Sequence, residues 1–182
     1  MKTKLFLLIA MLCCIDFLGL AQDATIPEPE YVGVPMLVND DNTLSYLEKQ
    51  VGTIKTKNNW MKLIPTSEVY LEINGKTSPI RLSMGLHRMV VKYDQNVDPS
   101  HVVYIYKMES KKKQRKIKLA QRDTFDRQED TKDLVKYAAT PFGQSSMLIE
   151  FGIDEPGEYC VLYDGQDFER GSFMTFNFGV DK

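Results

Sequence analysis

Few residues of this sequence have the types and spacing that chemistry requires. Asp94-Gln95-Asn96-Val97-Asp98 places oxygen ligands at alternate positions, as the first half of a calcium loop does. Such a loop also needs glycine at its sixth position and a bidentate glutamate at its twelfth, where this chain has Pro99 and Ile105. The segment reads as a polar turn ending in Asp-Pro. His87 and His101 are the two histidines, and no third ligand stands near them at a zinc-binding spacing. Cys160 with a histidine would be the smallest nucleophile–base arrangement. It stands inside Tyr159-Cys160-Val161-Leu162-Tyr163, where cysteine behaves as a small buried hydrophobe. Carboxylates are numerous, but nothing singles out two of them as an acid–base pair. No Gly-x-Ser-x-Gly and no phosphate-cradling glycine loop occurs. The sequence therefore assigns no catalytic residue, no cofactor and no metal site.

Two features could instead hold a partner. Lys111-Lys112-Lys113-Gln114-Arg115-Lys116-Ile117-Lys118 is the densest run of charge. It reads either as a surface for phosphate or acidic glycan, or as a hairpin tip followed by the solvated face of a strand. Glu109, Asp123 and Asp126 would dilute its field. Trp60, the sole tryptophan, could stack on a sugar or anchor a protein. It could equally plug a core beside Met61, Leu63 and Ile64. Trp60, Lys111, Lys112, Lys113 and Arg115 are the candidate partner-binding residues.

The amino terminus sets the compartment in which such a partner would be met. Lys2 and Lys4 precede an apolar run from Leu5 to Ile15, and Gly19 and Ala21 offer the small side chains that signal peptidase accepts. Residues 1–21 read as a cleaved signal peptide, which places the mature chain in the periplasm or at the cell surface. The run is too short for a membrane span and Asp16 breaks it. No later stretch is long and apolar enough to span. Removing Lys2, Lys4 and Asp16 takes the net charge from −2 to −3. That mild value argues against a generally polyanion-binding protein, and export argues further against a nucleic-acid partner. Cys160 alone then remains of three cysteines, so the domain has no internal disulfide and depends on its core.

Period-two alternation in short runs dominates the rest. Residues 22–30 form a proline-spaced extended leader, and 31–182 a single domain. Tyr31 to Val38 is a first strand, placed at a sheet edge by Pro35. Ser67 to Ile73, Asn74-Gly75 and Lys76 to Leu82 form a type I′ hairpin. Residues 102–106 are apolar on both faces and so central. Ile117 and Leu119 point inward with Lys116 and Lys118 outward. Met174, Phe176 and Phe178 line one face of a closing strand. Residues 121–133 read as a mobile polar loop. About eleven short strands and no amphipathic helix predict an all-β fold, a single antiparallel β-sandwich, immunoglobulin-like or related.

Certain turn and strand-end residues carry a resemblance. They are Ile54-Lys55-Thr56-Lys57, Gly75 to Arg81, Val97-Asp98-Pro99, Pro141 to Ser146, Pro156-Gly157-Glu158-Tyr159 and Phe178-Gly179-Val180-Asp181. Across residues 31–181 the chain resembles a group of small exported proteins of unknown function common in Bacteroidetes. The resemblance implies an exported β domain and carries no activity. The expected role is a non-catalytic module binding a protein or glycan partner. The alternatives are an envelope hydrolase using carboxylates or Cys160, and a structural component of a cell-surface assembly.

Overall fold

The structure, a computed structural model, describes residues 25–59, 66–94, 98, 101–122, 127–129, 131–164 and 172–181. Fourteen strands are present among the described residues. The first seven are β1 (Met36–Val38), β2 (Leu44–Tyr46), β3 (Glu48–Asn59), β4 (Thr66–Asn74), β5 (Arg81–Leu82), β6 (Gly85–Lys92) and β7 (Val103–Lys111). The others are β8 (Gln114–Arg122), β9 (Arg127–Glu129), β10 (Leu134–Val135), β11 (Tyr137–Phe142), β12 (Ser146–Ile153), β13 (Gly157–Tyr163) and β14 (Ser172–Val180).

Six of them close a barrel. β7 pairs with β13, β13 with β14, β14 with β3, β3 with β4 and β4 with β8, all antiparallel. β8 then returns to β7 through Glu109↔Lys116, Ser110↔Arg115 and Lys111↔Gln114. The all-β reading holds, but the expected immunoglobulin-like β-sandwich does not form. A sandwich leaves edge strands at the ends of its sheets, whereas here the last pairing joins the ends and removes them. The closing ladder is short. Further along, β7 pairs instead with β10 (Leu134↔Tyr106, Val135↔Ile105) and β8 with β9 (Ala120↔Glu129 to Arg122↔Arg127). The barrel is thus sealed at the β7–β8 hairpin and its seam parts towards the other end.

Five further strands, in order β11-β12-β6-β1-β2, form a sheet against one side of the barrel. Met89, Ile149 and Phe151 of that sheet share a cluster with Ile105, Val161 and Phe178 on the outer side of β7, β13 and β14. The Phe151 and Phe178 rings lie 6.0 Å apart, and Tyr159 stacks on Phe178 at 5.2 Å. The inner side of the barrel holds a second cluster with Leu71, Ile73, Ile117, Cys160, Leu162 and Phe173. β13 and β14 therefore lie between two cores, which is why almost every residue in them is buried. Full burial of each large aliphatic or aromatic side chain is worth about 1.5–3 kcal/mol.

Three expected details change. The first strand is shorter and lies inside its sheet, between β6 and β2, because Pro35 precedes it rather than interrupting it. Asn74-Gly75 makes no hairpin. Asn74 stays paired with Gln114, only Gly75 turns left-handed (φ +88°), and its N–H bonds to the Lys113 carbonyl. The chain then crosses to β5, which runs parallel to β14. The segment 121–133 is not one loop. β8 continues to Arg122, and β9 lies within it. Backbone pairing forms these elements without an apolar side-chain pattern.

Gly52 on β3 marks how tightly the barrel interior is filled. A Cβ there would lie 2.6 Å from Leu71 Cδ1 and 3.0 Å from Thr175 Cγ2. Gly152 on β12 has nothing within 4 Å of the same position. Gly52→Val is expected to lower unfolding free energy by about 1–3 kcal/mol. Gly152→Ala, at an open strand position, is expected to be neutral or slightly stabilising. Urea unfolding of the two variants measures the contrast.

Candidate functional site

The barrel end sealed by the hairpin contains a charge. Arg115 alternates with Lys116 on β8, so it shares the inward side with Ile117, and its side chain has 0% exposure. Its Nη1 donates to Glu48 Oε2 at 2.9 Å and approaches Glu158 Oε2 at 3.5 Å. Its Nε and Nη2 donate to the carbonyls of Gly75 and Asn74 at 3.2 and 3.4 Å. Glu158 also accepts the Ser78 N–H and the Arg81 Nη1, both at 2.6 Å. Arg81 continues to Asp181 at 2.6 Å. Gly179 gives that guanidinium its place, since any Cβ there would overlap it. A lone buried charge would cost many kcal/mol, and this one is matched by carboxylates and carbonyls. The network is a brace between strands.

Cys160 lies in the same interior, fully buried, and burial pushes its thiol pKa well above the ordinary value. An activated cysteine needs the opposite shift and access to substrate. Among the described residues, no three His, Cys, Asp or Glu side chains are grouped to hold a metal ion. His87 bonds through Nε2 to the Ser83 carbonyl at 2.8 Å and packs on Phe151.

The surface that remains open faces away from the flanking sheet. On β3, Lys49, Lys55 and Lys57 alternate outward and are exposed. Register carries this face across β4 to β8: Lys55 stands beside Tyr70, and Tyr70 beside Lys118. The neighbouring row is Thr53, Glu72 and Lys116. Lys116 Nζ sits 4.6 Å from the Tyr70 ring centre, a cation–π contact. Lys118 Nζ lies 3.3 Å from Glu68. Five lysines meet two glutamates on this face, an excess of three positive charges on a chain whose net charge is −2. Side chains on one face of a strand repeat at about 7 Å.

Lys111, Lys112 and Lys113 are exposed at the tip of the β7–β8 hairpin, beside this face. Lys112 is left-handed (φ +38°). Glu109 joins the tip to the face by binding Lys111 at 2.6 Å and Lys116 at 3.3 Å. Arg115 does not join these lysines, being inside the barrel. Trp60 lies outside the described residues. Lys49, Lys55 and Lys57 were not legible as part of a site, because their neighbourhood with Lys118 depends on strand order. No family model, no curated protein and no solved structure matches the chain. Among the described residues, no helix is long and apolar enough to cross a membrane.

Glu158→Gln leaves two guanidinium groups short of a carboxylate and is expected to cost about 3 kcal/mol in urea unfolding. Lys113→Gln, at the exposed tip, should stay within about 0.5 kcal/mol. Hydrogen bonds from Arg81, Lys111 and Lys107 hold Asp181, Glu109 and Glu155 below the ordinary carboxylate range. Their contribution is therefore present above that range and is lost as pH falls below about 4. The urea midpoint should drop between pH 7 and pH 3, and Arg81→Gln should make that drop smaller.

Proposed function

We propose that the chain is an exported, non-catalytic binding module that holds an acidic polysaccharide on the lysine face of β3, β4 and β8. The observation that carries this reading is the row of exposed lysines at 49, 55 and 57, set beside Lys116 and Lys118 on one continuous sheet face. A rigid scaffold presenting several cations along one extended face matches a repeating anion better than a single small ligand. The hairpin tip extends the same field through Lys111, Lys112 and Lys113. The amino-terminal pattern and the resemblance to small exported proteins support a location where polysaccharide is met. Partner binding then needs no chemistry from Cys160 or from the buried carboxylates, which serve the barrel.

The test is binding of the purified protein to polygalacturonate and dextran sulfate, with neutral dextran as the control. Affinity is expected to fall steeply with salt, as screening weakens surface charge. The combined variant Lys55→Gln, Lys57→Gln and Lys118→Gln is expected to lose at least tenfold in affinity at low salt while keeping its melting temperature. Equal binding to neutral dextran, or unchanged affinity in the variant, would overturn the reading.

A further inference from the structure

We propose that the turn between β11 and β12 is a carboxylate-binding site filled by the chain's own Glu28, and that this contact latches residues 25–33 as a strap across the flanking sheet. Gly143 opens the site. It is left-handed at φ +59°, and its missing side chain leaves the space that the Glu28 carboxylate occupies. Any Cβ at that position would overlap the carboxylate. The next amide completes the contact, with the Gln144 N–H donating to Glu28 Oε1. A left-handed residue followed by a free N–H is a common cradle for an anion.

The rest of the strap shows what the latch fastens. Residues 25–30 have neither helix nor strand, yet Pro29 is buried. Beyond it, Val32 bridges Lys92 in parallel, and the Gly33 N–H donates to the Lys92 carbonyl at 2.8 Å. Lys92 is the register partner of Ser146, the first residue after the turn. Glu28 and Val32 therefore meet the same end of the sheet at two points. Gly33 makes the second point possible, because a side chain there would strike the Tyr163 ring. Ser146, Val90 and Met36 alternate away from the barrel but are buried at 2%, 0% and 9% exposure, so this end of the outer sheet face is covered. The strap is the segment placed beside it. This latch is independent of the lysine face, which lies on the opposite side of the barrel.

The experiment is residue-resolved amide exchange together with limited proteolysis on the full chain. Glu28→Ala is expected to speed exchange at Gln144 and Gly33 at least tenfold and to expose residues 25–33 to cleavage, with exchange in the barrel unchanged. Glu28→Gln keeps an oxygen acceptor but not the charge, and is expected to give a smaller acceleration. Gly143→Ala should reproduce Glu28→Ala. If Gly143→Ala does not fold, Glu28→Ala alone decides the matter. Exchange and cleavage in Glu28→Ala equal to those of Glu30→Ala and of the unaltered protein would overturn the assignment.

Discussion

One buried guanidinium ties the barrel shut. Arg115 stands in the short ladder where β8 rejoins β7, and its side chain reaches the carboxylates of β3 and β13 and the carbonyls at the end of β4. Five of the six barrel strands thus meet at one residue. Through Glu158 the brace extends to Arg81 on β5 and to Asp181 after β14. A closed barrel of six strands encloses little volume, and Gly52 shows how little is left in its middle. Polar closure at one end lets the hydrophobic residues concentrate in the middle layers. Buried ion networks are weak sources of net stability, and their better-attested role is to select one arrangement over others.

That brace divides labour between the two sides of the barrel. One outer side is consumed by the flanking sheet, whose apolar residues pack on β7, β13 and β14. The other, formed by β3, β4 and β8, carries the lysines. Arg115 and Glu158 are matched inside the barrel, while Lys49, Lys55 and Lys57 stand exposed on its outer side. Lys116 is held between Glu109 and the Tyr70 ring, and Lys118 by Glu68 and Gln121.

The period-two pattern located most strands and many inward residues correctly. Leu71, Ile73, Ile117 and Phe178 fall where alternation places them. Strand order was hidden, since pairing between β8 and β7 or β14 and β3 is a property of distant segments. Arg115 shows a readable signal that was outweighed. It lies two residues before Ile117, so parity alone puts it inside, but the surrounding lysines suggested a uniform charged surface. Glu158 has the same parity as Cys160 and Leu162 and could have been found in the same way. Asn74-Gly75 misled for the opposite reason. A strong local turn signal was overridden because the strand after it pairs with β14 rather than folding back. The partner residues of β3 could not be joined to those of β8 without knowing that β4 lies between them.

The most direct test of closure by Arg115 is amide hydrogen exchange in Arg115→Met, which keeps bulk and removes charge. Protection is expected to collapse at Glu109, Lys111, Gln114 and Lys116, residues of the closing ladder, while Met89 and Ile149 in the flanking sheet keep theirs. Undiminished protection across that ladder would contradict closure by Arg115.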